Sequence, residues 1–361
     1  MSEFIDGLRE DLVAAAAREQ RVGRLGRAAR PVHPRAWRPA AVLGALAVTA
    51  IVAAVVLAVV ALAPPAQRAG SPHVVAVLDV GGSPIDAAFG EDSVWVSDYT
   101  GRVIRIDPSA RRVLARIPVK EPGGIAVGAG AAWVRTPNPR DPRATRLVEI
   151  DSKRNRVVDS RAIGGGSGLA LGVDTVWAVR RFTMPEGVDR IDPRGLALTQ
   201  RIGLANVDQV AEAGGVLWVS QHDGTVVQVD AASGRVVRRW PSLAPSEAGG
   251  DTPKLAADQD GVWVLSTVNA EILRLAAGRV VVRIPVDRSV RPLLASGPGG
   301  LWIAAGDRLG RGNRLIRIDP DTRKVTATID IAHHRPLALV TARHALAVLT
   351  ADGKVLIVRS R

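Results

Sequence analysis

The chain has 361 residues, including 48 Lys or Arg and 35 Asp or Glu, which give a formal net charge of +13; it contains no cysteine. The lack of cysteine excludes disulfides, thiolate nucleophiles and cysteine-bound metals, and it is compatible with either redox compartment. The excess of positive charge has two interpretations: a solvated arginine-rich surface, or a preference for anionic partners such as wall polymers or lipid headgroups.

Residues 1–39 are predicted to be a basic cytoplasmic segment that begins with a short helix over 2–19. Ser2 can cap this helix. Apolar residues recur at helical spacing at Phe4, Ile5, Leu8, Leu12 and Val13. This apolar stripe has three interpretations: it docks a cytoplasmic partner, it lies on the inner leaflet, or it belongs to an ordinary juxtamembrane helix.

Residues 40–63 are predicted to cross the cytoplasmic membrane once. They form an uncharged run of 24 residues, mostly Ala, Val, Leu and Ile, and a spanning helix needs roughly 20 apolar residues. Six arginines and no acidic residue lie between positions 21 and 39, so the positive-inside rule places the N-terminus in the cytoplasm and the rest outside. A cleaved signal peptide ending at Ala61-Leu62-Ala63 is the alternative. Residues 64–72 are predicted to be a Pro-rich linker.

A short phrase centred on tryptophan recurs through the remainder of the chain. It occurs as Val94-Trp95-Val96, Ala132-Trp133-Val134, Val176-Trp177-Ala178, Leu217-Trp218-Val219, Val262-Trp263-Val264 and Leu301-Trp302-Ile303. The tryptophans are 38, 44, 41, 45 and 39 residues apart, and Leu346-Ala347-Val348 follows after another 45 residues. A period near 40 residues made of short strands is typical of β-propeller blades.

Residues 73–361 are therefore predicted to form an all-β, seven-bladed propeller outside the membrane, with four strands in each blade. The last repeat has only three predicted strands, and residues 73–80 resemble the fourth strand of the other repeats. We expect this segment to complete the last blade and close the ring, which removes exposed sheet edges. The tryptophans on the second strands are expected to pack between blades; a ring of aromatics that reads a ligand is the alternative.

The predicted third strands usually end in an aspartate. These residues are Asp107, Asp151, Asp192, Asp230 and Asp319, and three of them precede a proline. Asp and Pro suit the first two positions of a type I turn. We therefore expect these aspartates to form turns rather than to act in catalysis.

The repeats resemble those of bacterial YVTN-type and virginiamycin B lyase-like propellers. The strongest matches are Gly297-Pro298-Gly299-Gly300-Leu301-Trp302-Ile303 and Leu315-Ile316-Arg317-Ile318-Asp319-Pro320-Asp321-Thr322, and the likeness covers residues 73–361. For the lyase branch, the resemblance implies opening of a macrocyclic ester by elimination, with magnesium and with His and Glu side chains at the tunnel mouth. That branch tends to place His just before the first strand, and the matching stretches 121–125, 252–255 and 335–338 contain none.

Ligands of propellers usually bind at the tunnel mouth, on loops that enter the first strand or leave the second. Aligned on the tryptophans, the starts of the first strands include Asp86, Asp208, Gln209 and Lys254, and the exits of the second strands include Asp98, Tyr99, Arg135, Arg180, Gln221 and His222. These ten residues are predicted to form a polar rim that binds a polar ligand or a peptide. Ordinary solvated loop residues are the alternative interpretation.

The sequence contains no P-loop, G-x-S-x-G or H-E-x-x-H motif, so we predict no catalytic residue, metal ligand or cofactor. The predicted function is a membrane-anchored, extracytoplasmic binding or scaffold module of the bacterial cell envelope. Its expected partners are the cytoplasmic membrane and an envelope protein or small polar ligand, and not nucleic acid. The alternatives are a magnesium-dependent lyase or hydrolase, and a sensor that relays an external signal to the N-terminal helix.

Overall fold

A computed structural model of the chain describes residues 71–241, 243, 252–297, 299–307, 310–342 and 344–359. The predicted cytoplasmic segment, the predicted membrane helix and nearly all of the linker lie outside these residues. The described residues form 28 strands. They include no helix long and apolar enough to cross a membrane.

The strands make seven separate four-stranded antiparallel sheets, which are the blades of a propeller. The first strand of the chain is β1 (His73–Asp79). Blade 1 contains β2 (Pro84–Gly90), β3 (Ser93–Asp98), β4 (Arg102–Asp107) and β5 (Arg112–Pro118). Blade 2 contains β6 (Ile125–Gly128), β7 (Ala131–Asn138), β8 (Asp141–Asp151) and β9 (Arg156–Ile163). Blade 3 contains β10 (Leu169–Gly172), β11 (Thr175–Arg180), β12 (Gly187–Asp192) and β13 (Ala197–Gly203).

The remaining blades follow the same order. Blade 4 contains β14 (Val207–Ala213), β15 (Val216–Gln221), β16 (Val226–Asp230) and β17 (Val236–Trp240). Blade 5 contains β18 (Lys254–Asp258), β19 (Gly261–Ser266), β20 (Glu271–Ala276) and β21 (Arg279–Pro285). Blade 6 contains β22 (Val290–Gly297), β23 (Gly300–Ala305), β24 (Arg314–Ile318) and β25 (Val325–Asp330). Blade 7 contains β26 (Pro336–Ala342), β27 (Ala345–Thr350), β28 (Lys354–Arg359) and, as its fourth strand, β1.

The ring closes through β1, as the sequence predicts. This strand pairs antiparallel with β28, from His73 opposite Arg359 to Asp79 opposite Lys354. The amide of Val80 also donates to the carbonyl of Gly353 at 2.9 Å. The first strand of each blade contacts the first strand of the next, all the way round from β26 to β2. Closure of this kind joins the two ends of the propeller through one sheet.

The six recurrent tryptophans are buried between blades, which is the packing predicted from the sequence. Trp95, for example, packs with Ile117 of its own blade and with Val134 and Ile150 of blade 2. Several of these indoles also lie under an arginine from the third strand of the same blade. Arg105 covers Trp95 and Arg274 covers Trp263, each at 4.9 Å from the ring centroid. The cation thereby adds a cation–π contact to the apolar core.

The aspartates at the ends of the third strands form turns, as expected. Asp107 Oδ1 accepts hydrogen bonds from the amides of Ser109 and Ala110, both at 2.8 Å. Asp319 Oδ1 accepts from the amides of Asp321 and Thr322, both at 2.9 Å. These carboxylates are committed to the local backbone, at the end of each blade opposite the predicted rim.

Blade 2 has a longer central hairpin than the other blades. Its second strand, β7, has 8 residues and its third strand, β8, has 11. The additional pairs include Thr136 opposite Arg146 and Pro137 opposite Thr145. The β7–β8 hairpin therefore projects beyond the corresponding hairpins of other blades, such as β3–β4 with 6 residues in each strand.

Candidate functional site

The ten predicted rim residues belong to one end of the propeller. In every blade the first and second strands are antiparallel, so the start of the first strand and the exit of the second lie at the same end. Here this end is called the tunnel mouth. The structure brings only some of the ten side chains into one cluster.

Asp208, His222 and Lys254 come together at the mouth between blades 4 and 5. The Asp208 carboxylate lies 3.6 Å from Lys254 Nζ and 3.8 Å from His222 Nε2. The hydroxyl of Thr252 donates to Asp208 Oδ2, and Lys254 Nζ donates to this hydroxyl at 3.2 Å. These four side chains, here called the mouth cluster, combine donors and acceptors with one charge of each sign.

The mouth cluster keeps partial contact with solvent. The exposed fractions of the His222, Lys254 and Asp208 side chains are 38, 23 and 17%. Groups that are partly desolvated and already oriented by their neighbours lose little entropy when they bind a polar ligand. The arrangement is therefore suited to hydrogen bonding with a ligand or a protein loop at the mouth.

Asp86 and Gln209 link neighbouring blades at equivalent positions, nine residues before Trp95 and Trp218. Asp86 Oδ2 accepts from the amide of Ile125 at 3.1 Å, and Gln209 Oε1 accepts from the amide of Leu255 at 3.3 Å. In each case the donor lies at the start of the next blade's first strand.

The environment of Asp86 alters its acidity. The side chain is half-buried on β2, the strand of blade 1 that contacts the first strands of blades 2 and 7. Burial raises the pKa of Asp86 to about 6, although the Ile125 and Ala87 amides favour the charged form.

Asp98 organises the turn that contains Tyr99. Its carboxylate is buried and accepts from the amides of Ser83 and Thr100 at 2.8 and 3.0 Å, and from Arg102 Nε at 2.7 Å. Burial by itself would raise the pKa of Asp98, but these hydrogen bonds outweigh burial and hold the pKa below its usual value. The Tyr99 side chain is about half exposed, so Tyr99 remains accessible while Asp98 is occupied by the turn.

Arg135 and Arg180 are buried between blades 2 and 3. Arg135 Nη1 donates to the carbonyl of Val179 at 2.8 Å, and Nη2 donates to the carbonyl of Gly164 at 2.5 Å. Arg180 Nε donates to Asp189 Oδ1 at 2.8 Å. Burial lowers the pKa of Arg135 to about 9, and the charge of Asp189 acts in the opposite direction. Both arginines thus hold strands together inside the protein.

Gln221 is also buried, and its side-chain amide donates to the carbonyl of Ala205. Four of the ten predicted rim residues, Asp98, Arg135, Arg180 and Gln221, are therefore buried and bonded within the protein. Asp86 and Gln209 connect blades, Tyr99 is exposed, and Asp208, His222 and Lys254 form the cluster. Their roles in binding stay predictions.

Two features of the surface were missed by the sequence reasoning. Thr252 completes the mouth cluster, and its only sequence signal is its position two residues before Lys254. The long hairpin of blade 2 had a clearer signal: Trp133 and Asp151 are 18 residues apart, whereas Trp95 and Asp107 are 12 apart.

In the part of the chain that the structure describes, no group of three or more His, Asp or Glu side chains is arranged to hold a metal ion. The sequence matches no protein-family model and shows no significant similarity to a curated protein.

Proposed function

We propose that the chain is a membrane-anchored binding or scaffold module that displays a seven-bladed propeller on the outer side of the cytoplasmic membrane of a bacterium. The observation that carries the binding role is the mouth cluster of Asp208, His222, Thr252 and Lys254. It gathers polar side chains from two adjacent blades at the end of a propeller where ligands usually bind.

The geometry favours binding over catalysis. Within the cluster, the Asp208 carboxylate is shared between a lysine, a histidine and a hydroxyl. Asp86, another carboxylate of the rim, uses both oxygens to accept from the backbone amides of Ala87 and Ile125. A general base needs an oxygen directed at its substrate, and a binding surface does not. From the resemblance to YVTN-type and virginiamycin B lyase-like propellers, the proposal takes only the fold and the end of the propeller at which ligands bind.

The mouth is expected to be the surface that captures a partner. Ala205 is exposed, and its carbonyl accepts from the side-chain amide of Gln221, the residue before His222. A photo-crosslinking residue in place of Ala205 is expected to form adducts in cells with the full-length chain. The same residue in place of Val173, which is 85% exposed at the opposite end, is expected to form none of these adducts. Mass spectrometry of the captured species identifies the partner.

Asp208→Ala and Lys254→Ala are expected to reduce the Ala205 adducts at least about tenfold, since each removes a charged hydrogen-bonding group. Asp174→Ala, in the exposed turn beside Val173, is the matched control. The proposal that partners bind at the mouth would be contradicted if the crosslinker at Val173 captured the same species in equal yield. It would also be contradicted if neither mouth substitution changed the yield of the Ala205 adducts.

Membrane topology has a direct test because the natural chain contains no cysteine. We expect Ser109→Cys, in an exposed turn of blade 1, to react with a membrane-impermeant maleimide in intact cells. Ser2→Cys is expected to react only after lysis, because the arginines at 21–38 hold that end in the cytoplasm. Labelling of Ser2→Cys from outside, or loss of the N-terminus from the mature protein, would contradict the anchor.

A further inference from the structure

A cleft lies beside the long hairpin of blade 2. It has a volume of ≈ 1070 Å³ and is lined on one side by the β5–β6 connection and on the other by the β7–β8 hairpin and β9. It belongs to the mouth end, because the β7–β8 turn follows a second strand. It is distinct from the mouth cluster, since none of its lining residues belongs to blades 4 or 5.

The cleft is strongly cationic. Its lining includes Lys120 on one wall and Arg140, Arg143 and Arg146 on the other, against a single acidic residue, Glu121. Within the described residues, none of these four cations takes part in an ion pair. An excess of positive charge in a concave site raises the local concentration of anions.

One of the arginines is held in place by the sheet. Arg146 Nη2 donates to both the carbonyl and the hydroxyl of Ser160, at 2.9 and 2.7 Å. Its guanidinium is thereby fixed on the blade face that lines the cleft, with other donors left for a ligand. Arg140 and Arg143 are exposed on the projecting part of the hairpin. A guanidinium offers a planar fork of donors that matches phosphate oxygens.

We infer that this cleft binds a linear chain of phosphate groups. Cations on both walls and along the hairpin suit a ligand with several successive anionic groups rather than one. The lining contains no aromatic side chain, and proteins that bind single-stranded nucleic acid stack its bases on aromatics. The site therefore fits a phosphate chain without bases.

The test is a binding titration of the full-length chain with fluorescently labelled short-chain inorganic polyphosphate, followed by anisotropy at low and moderate salt. The natural protein is expected to bind in a saturable, salt-sensitive way. The double variant Arg140→Glu/Arg143→Glu is expected to weaken binding at least about tenfold, since it replaces two charged donors with repelling carboxylates. Neither side chain has a hydrogen bond within the described residues, so folding is expected to be preserved, which circular dichroism checks.

A second double variant, Arg201→Glu/Arg239→Glu, makes the same change of net charge on exposed outer-strand positions of blades 3 and 4. It is expected to alter binding by no more than about twofold. Because the arginines at 21–38 also attract polyanions, the difference between the two double variants is the decisive readout.

Equal weakening in both double variants would overturn the site, as would a natural protein that does not bind polyphosphate. Tighter binding to oligothymidylate of equal charge, or to phosphatidylglycerol vesicles, would overturn the assignment of the ligand. Asp208→Ala is expected to leave polyphosphate binding unchanged. The proposed phosphate site and the proposed binding role of the mouth can therefore be contradicted independently of each other.

Discussion

Trp95→Ala is expected to lower the free energy of unfolding of the propeller by about 3–5 kcal/mol, the usual cost of truncating a buried aromatic side chain. Trp95 is fully buried between blades 1 and 2. Its indole Nε1 also donates to the carbonyl of Gly90 at 3.3 Å. Urea denaturation of the full-length chain in detergent, followed by far-ultraviolet circular dichroism, measures the change. Val325→Ala, at a position 60% exposed on β25, is the control and is expected to cost less than about 0.5 kcal/mol.

The contact of Arg105 with Trp95 gives this prediction a second readout. Arg105 also reaches across to blade 2, where Nη1 donates to Asn155 Oδ1 at 3.0 Å. In a double-mutant cycle, Trp95→Ala and Arg105→Ala are expected to show a coupling energy of about 0.5–2 kcal/mol. A loss below about 1 kcal/mol for Trp95→Ala would mean that the blade interface repacks around the cavity, contrary to the structure.

Blade 7 shows that the tryptophan is not required in every interface. Ala347 occupies the equivalent position and is buried in the cluster between blades 7 and 1. Phe89, on the first strand of blade 1, packs against the same cluster. The seventh interface therefore uses a large side chain from the opposite blade, which is consistent with matching of total core volume across an interface.

Asp86 is expected to make the stability of the propeller depend on pH between about 4 and 6. Its pKa is about 6 in the folded chain against an ordinary value of 3.8. The folded state therefore binds the proton more tightly, so this carboxyl contributes stability that is fully present below about pH 4 and is lost as the pH rises through 6. A shift of this size corresponds to about 2–3 kcal/mol between pH 4 and pH 7.

Asp86→Ala isolates this effect. The substitution removes the acceptor of the Ile125 amide, which costs about 1–3 kcal/mol. The stability difference between the natural chain and the variant is expected to be larger at pH 4 than at pH 7 by about 2 kcal/mol. Gln209→Ala is the matched control, because it removes the equivalent acceptor between blades 4 and 5 without removing a titrating group. A difference for Asp86→Ala that stays constant with pH, as expected for Gln209→Ala, would contradict the raised pKa.

The sequence by itself determined the architecture, because propeller blades repeat the same local pattern. The spacing of Trp95, Trp133 and the later tryptophans predicted the second strand of each of these blades. A large apolar side chain recurs at this period because it fills the buried interface between adjacent blades. The strand 73–80 was assignable to the last blade because a ring with an open edge would leave backbone groups unpaired. Turn aspartates such as Asp107 were also predictable, since their bonds are local.

The tertiary structure alone decided which rim residues meet and which are buried. Asp86 and Asp208 occupy almost the same position in their repeats, yet Asp86 bonds to the next blade and Asp208 joins Lys254 and His222. The sequence places Arg135 and Arg180 where second strands end, which predicted a position on the polar rim. In the structure Arg135 is buried against the carbonyl of Val179, and Arg180 is buried against Asp189. The bonds of Asp86, Arg135 and Asp208 to the next blade join residues 39 to 46 positions apart in sequence, and the 9 positions between Arg180 and Asp189 span two strands. A local pattern has no information on them, because the partner of each side chain is set by how adjacent blades pack.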